Sequence, residues 1–335
     1  MHSCEKKHVG FLIFPGFPMA CLTSMIEPLR AANEIVGTDI FDWSLISEDG
    51  GRVEASARVW FDPDTSLGDL TAVDQVYLLS GPSSLFCDVE RSNGRLRKLV
   101  RHGVAIGAIS GGVFPLARSG LLNGHTASVH WCYEGAFAQE FPDLATSSDV
   151  ITIDRTRMTA SGAAAAFDLS LHLIEQALGA DVATEVACWF QHPMVRGQGV
   201  SQRKPTFAME STSDMLPRSV RDAVAMFSNH LEDPLNIADV AREVGVSARQ
   251  LERLFQKTTG STPLVYYRSM RMHKARQLLL YGTYSMAEIA EAVGYSSAFT
   301  LIKNYTEVFG IHPKDERDKV NMFRVRDDSG PDPRP

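Results

Sequence analysis

Ile237-Ala-Asp-Val-Ala-Arg-Glu-Val-Gly-Val-Ser247 recurs 49 residues later as Met286-Ala-Glu-Ile-Ala-Glu-Ala-Val-Gly-Tyr-Ser296, with five of eleven positions identical. In each copy, apolar residues at helical spacing run up to Val244-Gly245 or Val293-Gly294. Glycine there supplies the positive φ that ends a helix and turns the chain. Ser247 or Ser296 follows, a side chain able to accept a hydrogen bond from an orphan amide and so start the next helix. The pattern predicts a helix, a glycine turn and a capped helix, twice over. It makes the stretch from about Pro217 to Arg326 all-helical.

Helix, turn and capped helix is the helix-turn-helix layout. In the first copy Leu251, Leu254 and Phe255 form an inward stripe, which leaves Arg249, Gln250 and Arg253 facing out. Arginine can fork onto guanine and glutamine onto adenine, so this face suits base reading. One isolated helix of this kind would more simply be a solvated face carrying i,i+4 charges. The repetition, the glycine-serine pair in both copies and the local charge favour nucleic acid. The net charge is −7 for the whole chain, but residues 1–217 carry −9, residues 218–326 carry +4 and the last nine −2. The helical part alone is basic, so the acidic total does not exclude a DNA-binding module.

The helical part resembles the AraC family of transcriptional regulators. The resemblance rests on Ile237–Lys257, on Gly260-Ser-Thr-Pro-Leu-Val-Tyr-Tyr-Arg268, on Arg271-Met-His-Lys-Ala-Arg-Gln-Leu-Leu279, on Ile289–Ser297 and on Phe309-Gly-Ile-His-Pro313. It implies two helix-turn-helix units joined by one long helix, here about Pro263–Tyr281. Nineteen residues span about 28 Å, close to the roughly 34 Å between successive major-groove faces. The expected DNA-contacting residues are Ser247, Arg249, Gln250, Arg253 and Lys257 in the first unit, and Ser297, Thr300 and Lys303 in the second. The second recognition helix departs from the family, with Phe299, Thr300, Ile302 and Lys303 where His, Ser and Arg are frequent. Glu307 is expected to add a repulsive charge near phosphate. Most base specificity is therefore expected from the first unit.

Upstream, short apolar runs at Val9–Phe14, Phe41–Ser47, Gln75–Ser80 and Ala105–Ser110 read as strands buried on both faces. Helical patterns at Ala20–Val36, Arg91–His102, Gly112–Ser119 and Ala163–Leu178 lie between or after them. The alternation implies an α/β fold with a doubly wound, mostly parallel sheet, whose ligands sit beyond the carboxyl ends of the strands. Ala105-Ile-Gly-Ala-Ile-Ser-Gly-Gly-Val-Phe114 reads as a strand running into a sharp turn that exposes Ser110, with the Gly111 N–H free to bind an oxyanion. His130 follows in Thr126-Ala-Ser-Val-His-Trp131. This arrangement resembles the class I glutamine amidotransferase-like (PfpI-type) fold, and Phe11-Leu-Ile-Phe-Pro-Gly-Phe17 with Glu27-Pro-Leu-Arg-Ala-Ala-Asn33 extend the match. The resemblance implies a cysteine at the elbow and an acid after the first strand, where this chain has Ser110 and Pro18.

Catalysis is therefore not expected. The alternative is an amidase or hydrolase with Ser110 as nucleophile and His130 as base, which would also need a carboxylate from Glu27, Glu134 or Asp154 to orient the imidazole. His130 beside Trp131 reads equally as a packed core histidine. Asp168 reads as a buried hydrogen-bonding residue, and His130 with Cys132 alone is no metal-ligand set. Trp43, Trp60, Trp131 and Phe17 are candidates for an aromatic cage around a cationic ligand. No metal or cofactor is expected.

Five cysteines (Cys4, Cys21, Cys87, Cys132 and Cys188), odd in number and never spaced as C-x-x-C, fit a reducing cytoplasm. Val9–Leu22 imitates a signal peptide only until Pro15, Gly16 and Pro18 interrupt it, and no membrane span is expected. The expected organisation is a sensing domain over 8–190, a connector over 191–217, a DNA-binding domain over 218–320 and a loose tail over 321–335.

The two resemblances together make the layout of the GlxA-like regulators. That layout implies a transcription regulator, expected to act as an activator, in which a non-catalytic domain binds a small metabolite. An amino acid or a quaternary ammonium compound is the expected class, with Phe17, Glu27, Ser110, Gly111, His130 and Trp131 as ligand-binding candidates. Double-stranded DNA is the expected partner, a homodimer the expected state, and RNA polymerase a further candidate partner.

Overall fold

A computed structural model of the chain describes residues 6–192, 195–202, 216–282 and 284–317. The chain divides into two compact units, one on each side of residues 203–215. The expected tail, and the expected connector over 193–194 and 203–215, lie outside the described residues.

Among the described residues, eleven strands belong to the first unit: β1 (Lys7–Ile13), β2 (Phe41–Ser47), β3 (Val53–Glu54), β4 (Trp60–Phe61), β5 (Thr65–Ser66), β6 (Gln75–Ser80), β7 (Ala105–Ser110), β8 (Ala127–Ser128), β9 (Thr146–Ser147), β10 (Ile151–Asp154) and β11 (Arg157–Ala160). Seven form one sheet in the order β10-β11-β7-β6-β1-β2-β5, parallel throughout except for the edge strand β10. The apolar runs are continuous because both faces are covered. In β1, Val9, Phe11 and Ile13 enter one core while Leu12 enters the other; in β6, Tyr77 and Leu79 go one way and Val76 and Leu78 the other.

The faces are covered by α1 (Met19–Val36), α2 (Val89–Arg101), α3 (Val113–Arg118), α4 (Glu134–Glu140), α5 (Ala163–Leu178) and α6 (Ala180–Trp189). Residues of α1, α5 and α6 pack in the first core, and residues of α2, α3 and α4 in the second. Strand order reverses between β1 and β6, so the crevice at their carboxyl ends is the topological switch point.

The β10–β11 hairpin, α4 and α6 were not among the elements read from the sequence. The hairpin turn is the two-residue loop Arg155-Thr156, with Arg155 at φ 57°, a left-handed position without the usual glycine. Residues 195–202, which have a connector's composition, are fastened to this unit. Val150 N–H donates to Val200 O and Gln202 N–H to Ser148 O, each at 2.8 Å. The wholly buried Asp168 of α5 accepts from Arg196 N, Nε and Nη2 at 2.7–2.9 Å, and from His192 Nε2 at 2.9 Å. It is a structural anchor.

The second unit contains α7 (Arg218–Asn229), α8 (Ile237–Glu243), α9 (Ala248–Thr259), α10 (Pro263–Tyr281), α11 (Met286–Ala292) and α12 (Ala298–Phe309). Its core is double. Tyr266 and Tyr267 at the start of α10 pack with α7, α8 and α9, while Met272, Ala275, Leu278 and Leu279 further along pack with α11 and α12. Alpha 10 is thus the beam shared by two small bundles. Arg271, midway, donates to Val293 O and Gly294 O at the end of α11 and stacks over Tyr295 at 4.2 Å. It satisfies carbonyls that a helix end leaves without partners.

Candidate functional site

Ser110 closes β7 in the left-handed region, at φ 55°, a conformation that costs a non-glycine residue of order 1–2 kcal/mol. The glycines behind it are forced by close approach. A Cβ on Gly111 would lie 2.4 Å from Ser80 O, and one on Gly112 would lie 1.9 Å from Leu78 O. The turn therefore presses against the carboxyl end of β6. Ser110 is nearly buried, and the Gly111 N–H meets no acceptor among the described residues.

His130 reaches the same edge of the sheet from the loop after β8. Its ring lies 3.4 Å from where a Cβ on Gly162 would sit, and Gly162 follows β11, the parallel neighbour of β7. His130 Nδ1 lies 2.8 Å from the Cys132 thiol and accepts from the Cys132 backbone N–H at 3.3 Å. Burial pushes the Cys132 thiol up to about 12, so it stays protonated and can also donate. Burial lowers the His130 pKa, and the charge of Glu134 only partly opposes this. The imidazole is therefore neutral near pH 7, with Nδ1 as acceptor and Nε2 carrying the proton. This tautomer donates a hydrogen bond and has no lone pair left at Nε2 for the proton of a serine.

Trp131 packs with its ring centroid 5.5 Å from that of His130, and Tyr133 stands at the same distance on the histidine. Trp131 N–H donates to Gln202 Oε1 at 2.8 Å, while Gln202 Nε2 donates to Val129 O at 2.8 Å. Gln202 lies 71 residues away in sequence, and no motif marks it.

Two of the expected ligand residues are committed to other contacts. Phe17 is wholly buried and packs edge-on against Phe61, so its ring offers no surface to a ligand. Glu27 sits eight residues into α1, paired with Arg30 at 3.0 Å. Asp154, a carboxylate considered for orienting His130, instead accepts from Thr126 N–H and Arg155. Trp60 is half exposed and already lies beneath the Arg52 guanidinium.

In the second unit, Ser247 caps α9 in a full capping box. Its hydroxyl accepts from Gln250 N–H, and Gln250 Oε1 accepts from Ser247 N–H at 2.9 Å. Gln250 thus spends its carbonyl on the cap, which the serine-to-glutamine spacing signalled. Leu251 and Phe255 are buried, and Arg249, Arg253 and Lys257 are exposed with no ion pair among the described residues.

The second copy slips by one residue. Ser297, not Ser296, caps α12, accepting from Thr300 N–H at 3.3 Å. The turn after Gly294 holds one residue more than the turn after Gly245, so the offset grows from 49 to 50. Leu251, Phe255, Gly260 and Pro263 then correspond to Leu301, Tyr305, Gly310 and Pro313. Lys303 is exposed with no ion pair among the described residues. Glu307 is not a bare repulsive charge: Arg268 of α10 pairs with it at 2.7 Å.

Comparison with known proteins matches both units. Residues 7–176 match the DJ-1/PfpI family and residues 240–319 a helix-turn-helix domain family. The HTH-type transcriptional regulator GbdR of Pseudomonas aeruginosa is 37% identical over 318 residues, 93% of this chain and 84% of that protein. CdhR of the same organism is 34% identical, covering 92% and 90%. GlxA of Rhizobium meliloti, also an HTH-type transcriptional regulator, is 30% identical, covering 93% and 95%. The crystal structure of an AraC family transcriptional regulator from Pseudomonas putida superposes with a TM-score of 0.51 at 25% identity, over 55% of this chain and 99% of that one.

Proposed function

Since this chain belongs to the transcriptional regulators that join a DJ-1/PfpI domain to an AraC-type helix-turn-helix domain, and is not an enzyme, we propose which residues sense and which read. The first unit binds a small metabolite at the carboxyl edge of its sheet, against Ser110, Gly111, His130 and Trp131. The second places α9 and α12 in successive major grooves of double-stranded DNA. Arg249 and Arg253 face base edges, Lys257 and Lys303 face phosphate or base, and the capped helix starts, at Ser247 in α9 and at Ser297 and Thr300 in α12, approach the backbone. Gln250 positions α9 through its cap.

The observation that carries the sensing role is the Cys132 N–H donating to His130 Nδ1 at 3.3 Å, which leaves Nε2 to carry the proton of the neutral ring. The His130 Nε2–H and the Gly111 N–H, each at the carboxyl edge of the sheet, offer two donors suited to a carboxylate, whereas a hydrolase would need that nitrogen as a base. The rings of Trp131 and Tyr133 with the nearby charge of Glu134 suit a cationic group at the other end of the ligand. An amino acid or a betaine-like zwitterion has both ends.

Gln202 supplies the link to DNA. It grips the Val129–Trp131 loop, and the chain continues from it toward the second unit. A ligand that prefers one position of that loop biases the set of conformations open to the DNA-binding unit. A homodimer on paired half-sites, acting on RNA polymerase from a cytoplasmic location, completes the proposal; buried, unpaired Cys21 and Cys132 suit a reducing compartment.

The test is thermal unfolding of the full chain with arginine, glycine betaine and carnitine as probes. One of these should raise the melting temperature saturably, and Ser110→Ala should keep a shift while His130→Ala abolishes it. A shift unaffected by His130→Ala would overturn the placement of the site.

A further inference from the structure

The one-residue slip in the repeat aligns Phe299 with Arg249. Both are the second residue of a recognition helix, two positions after the capping serine, Ser247 in α9 and Ser297 in α12. The alignment holds on either side, since Ser297 matches Ser247 and the buried Leu301 and Tyr305 match Leu251 and Phe255. Lys303 falls in the place of Arg253. At this one reading position, then, the two helix-turn-helix copies present opposite chemistry, a guanidinium on α9 and a phenyl ring on α12.

The phenyl ring is 80% exposed. Lone exposed apolar side chains are ordinary on protein surfaces, so exposure alone says nothing. Its place does. Residues in the first turn of a recognition helix face the base edges when the helix lies in the major groove. Phe299 has neither a donor nor an acceptor to offer those edges, and in that groove the C5-methyl of thymine is the apolar group a base presents. The other polar side chains of the α12 face are partly committed. Thr300 is tied to Ser297, while Asn304 and Glu307 are tied to Arg268.

We propose that Phe299 is a specificity-determining residue that packs against a thymine methyl in the half-site read by α12, so that the two half-sites differ in sequence. The inference rests on the DNA-reading role of the second unit given above. Arg249 and Arg253 favour guanine-bearing positions in one half-site, and Phe299 favours a thymine about one helical turn away. The asymmetry fixes the direction in which the chain lies on the duplex.

The test begins with duplexes selected from a random library by the purified full chain, and then exchanges single thymines for deoxyuridine, which removes only the methyl. One exchange in the second half-site should weaken binding by the wild type about fourfold, the equivalent of one buried methyl group. Phe299→Ala should bind the thymine and deoxyuridine duplexes equally, and Phe299→Arg should select guanine at that position. Because the ring touches little of its own fold, both variants should melt with the wild type.

If the chain selects a sequence but every deoxyuridine exchange is silent, or if Phe299→Arg still selects thymine, the assignment of Phe299 is overturned while the reading by α9 stands. Loss of affinity in Phe299→Ala that is equal on all sequences also overturns it, and points instead to a contact with another protein or with a second copy of this chain. Failure to select any sequence overturns the DNA-reading role itself.

Discussion

Replacing Asp168 with asparagine isolates the bond that fastens residues 195–202 to the sensing unit. The carboxylate has no exposed surface, and both oxygens are fully used. Oδ1 accepts from His192 Nε2 and Arg196 N–H, and Oδ2 accepts from Arg196 Nε and Nη2 at 2.8 and 2.7 Å. Asparagine keeps one acceptor and sets an amide NH2 against the two guanidinium donors. Two charge-assisted bonds of about 1.5–3 kcal/mol each are lost. Arg196 is a quarter exposed, so water recovers part of that. A net cost of about 3 kcal/mol follows, at the lower end of the 3–5 kcal/mol for breaking a buried pair. For a unit of this size it corresponds to a melting temperature lower by about 6–12 °C. Circular dichroism of the full chain measures it, with the double variant Asp168→Asn/Arg196→Gln as control: the asparagine oxygen still accepts from His192 and the backbone N–H of position 196, and the glutamine oxygen can accept from the asparagine NH2. Removing the guanidinium should recover part of the loss. An Asp168→Asn protein melting within about 2 °C of wild type, or a double variant no better than the single one, would refute the anchoring role.

The remaining expectations concern the elbow, the histidine and the caps. Gly112→Ala places a Cβ 1.9 Å from Leu78 O against rigid backbone, so the first unit should lose its cooperative melt while the helical unit still unfolds separately. Burial lowers the pKa of His130 from its ordinary 6.5, so below that pH the unfolded chain binds a proton that the folded chain refuses. Its contribution to stability is complete above about pH 6.5 and declines as the pH falls toward the folded pKa. His130→Gln should flatten that part of the stability profile, leaving the similar trend from His273, whose pKa burial also lowers. Ser297→Ala should cost the helical unit about 1 kcal/mol, while Ser296→Ala should be silent in the same melt; the reverse order would contradict the slipped turn.

The four main strands, the elbow and the long α10 were legible because each rests on local chemistry. An apolar run buried on both faces, a Ser-Gly-Gly turn and a proline at the start of a helix all announce themselves within a few residues. The β10–β11 hairpin was not legible, because Arg155 takes a left-handed conformation that only its surroundings impose. Ser296 and Ser297 are adjacent, and no local rule says which one caps; the choice depends on where Leu301 and Tyr305 must point. The site was half legible. Ser110 and His130 stand out by motif, but Gln202 and Arg196 act across long sequence separations through hydrogen bonds that composition does not encode. Phe17 and Glu27 come from a matching motif, and the packing of β1 and α1 gives them other work.

Occupancy of the site at His130 is expected to change how the second unit holds DNA. The direct measurement is fluorescence anisotropy of a labelled duplex, selected as above, titrated with the full chain with and without the metabolite that raises its melting temperature. The wild type should give two binding curves displaced by at least fivefold, as a coupling of about 1 kcal/mol or more requires, and His130→Ala should give one curve in both conditions. Superimposed wild-type curves, with the metabolite bound at saturation, would contradict the account.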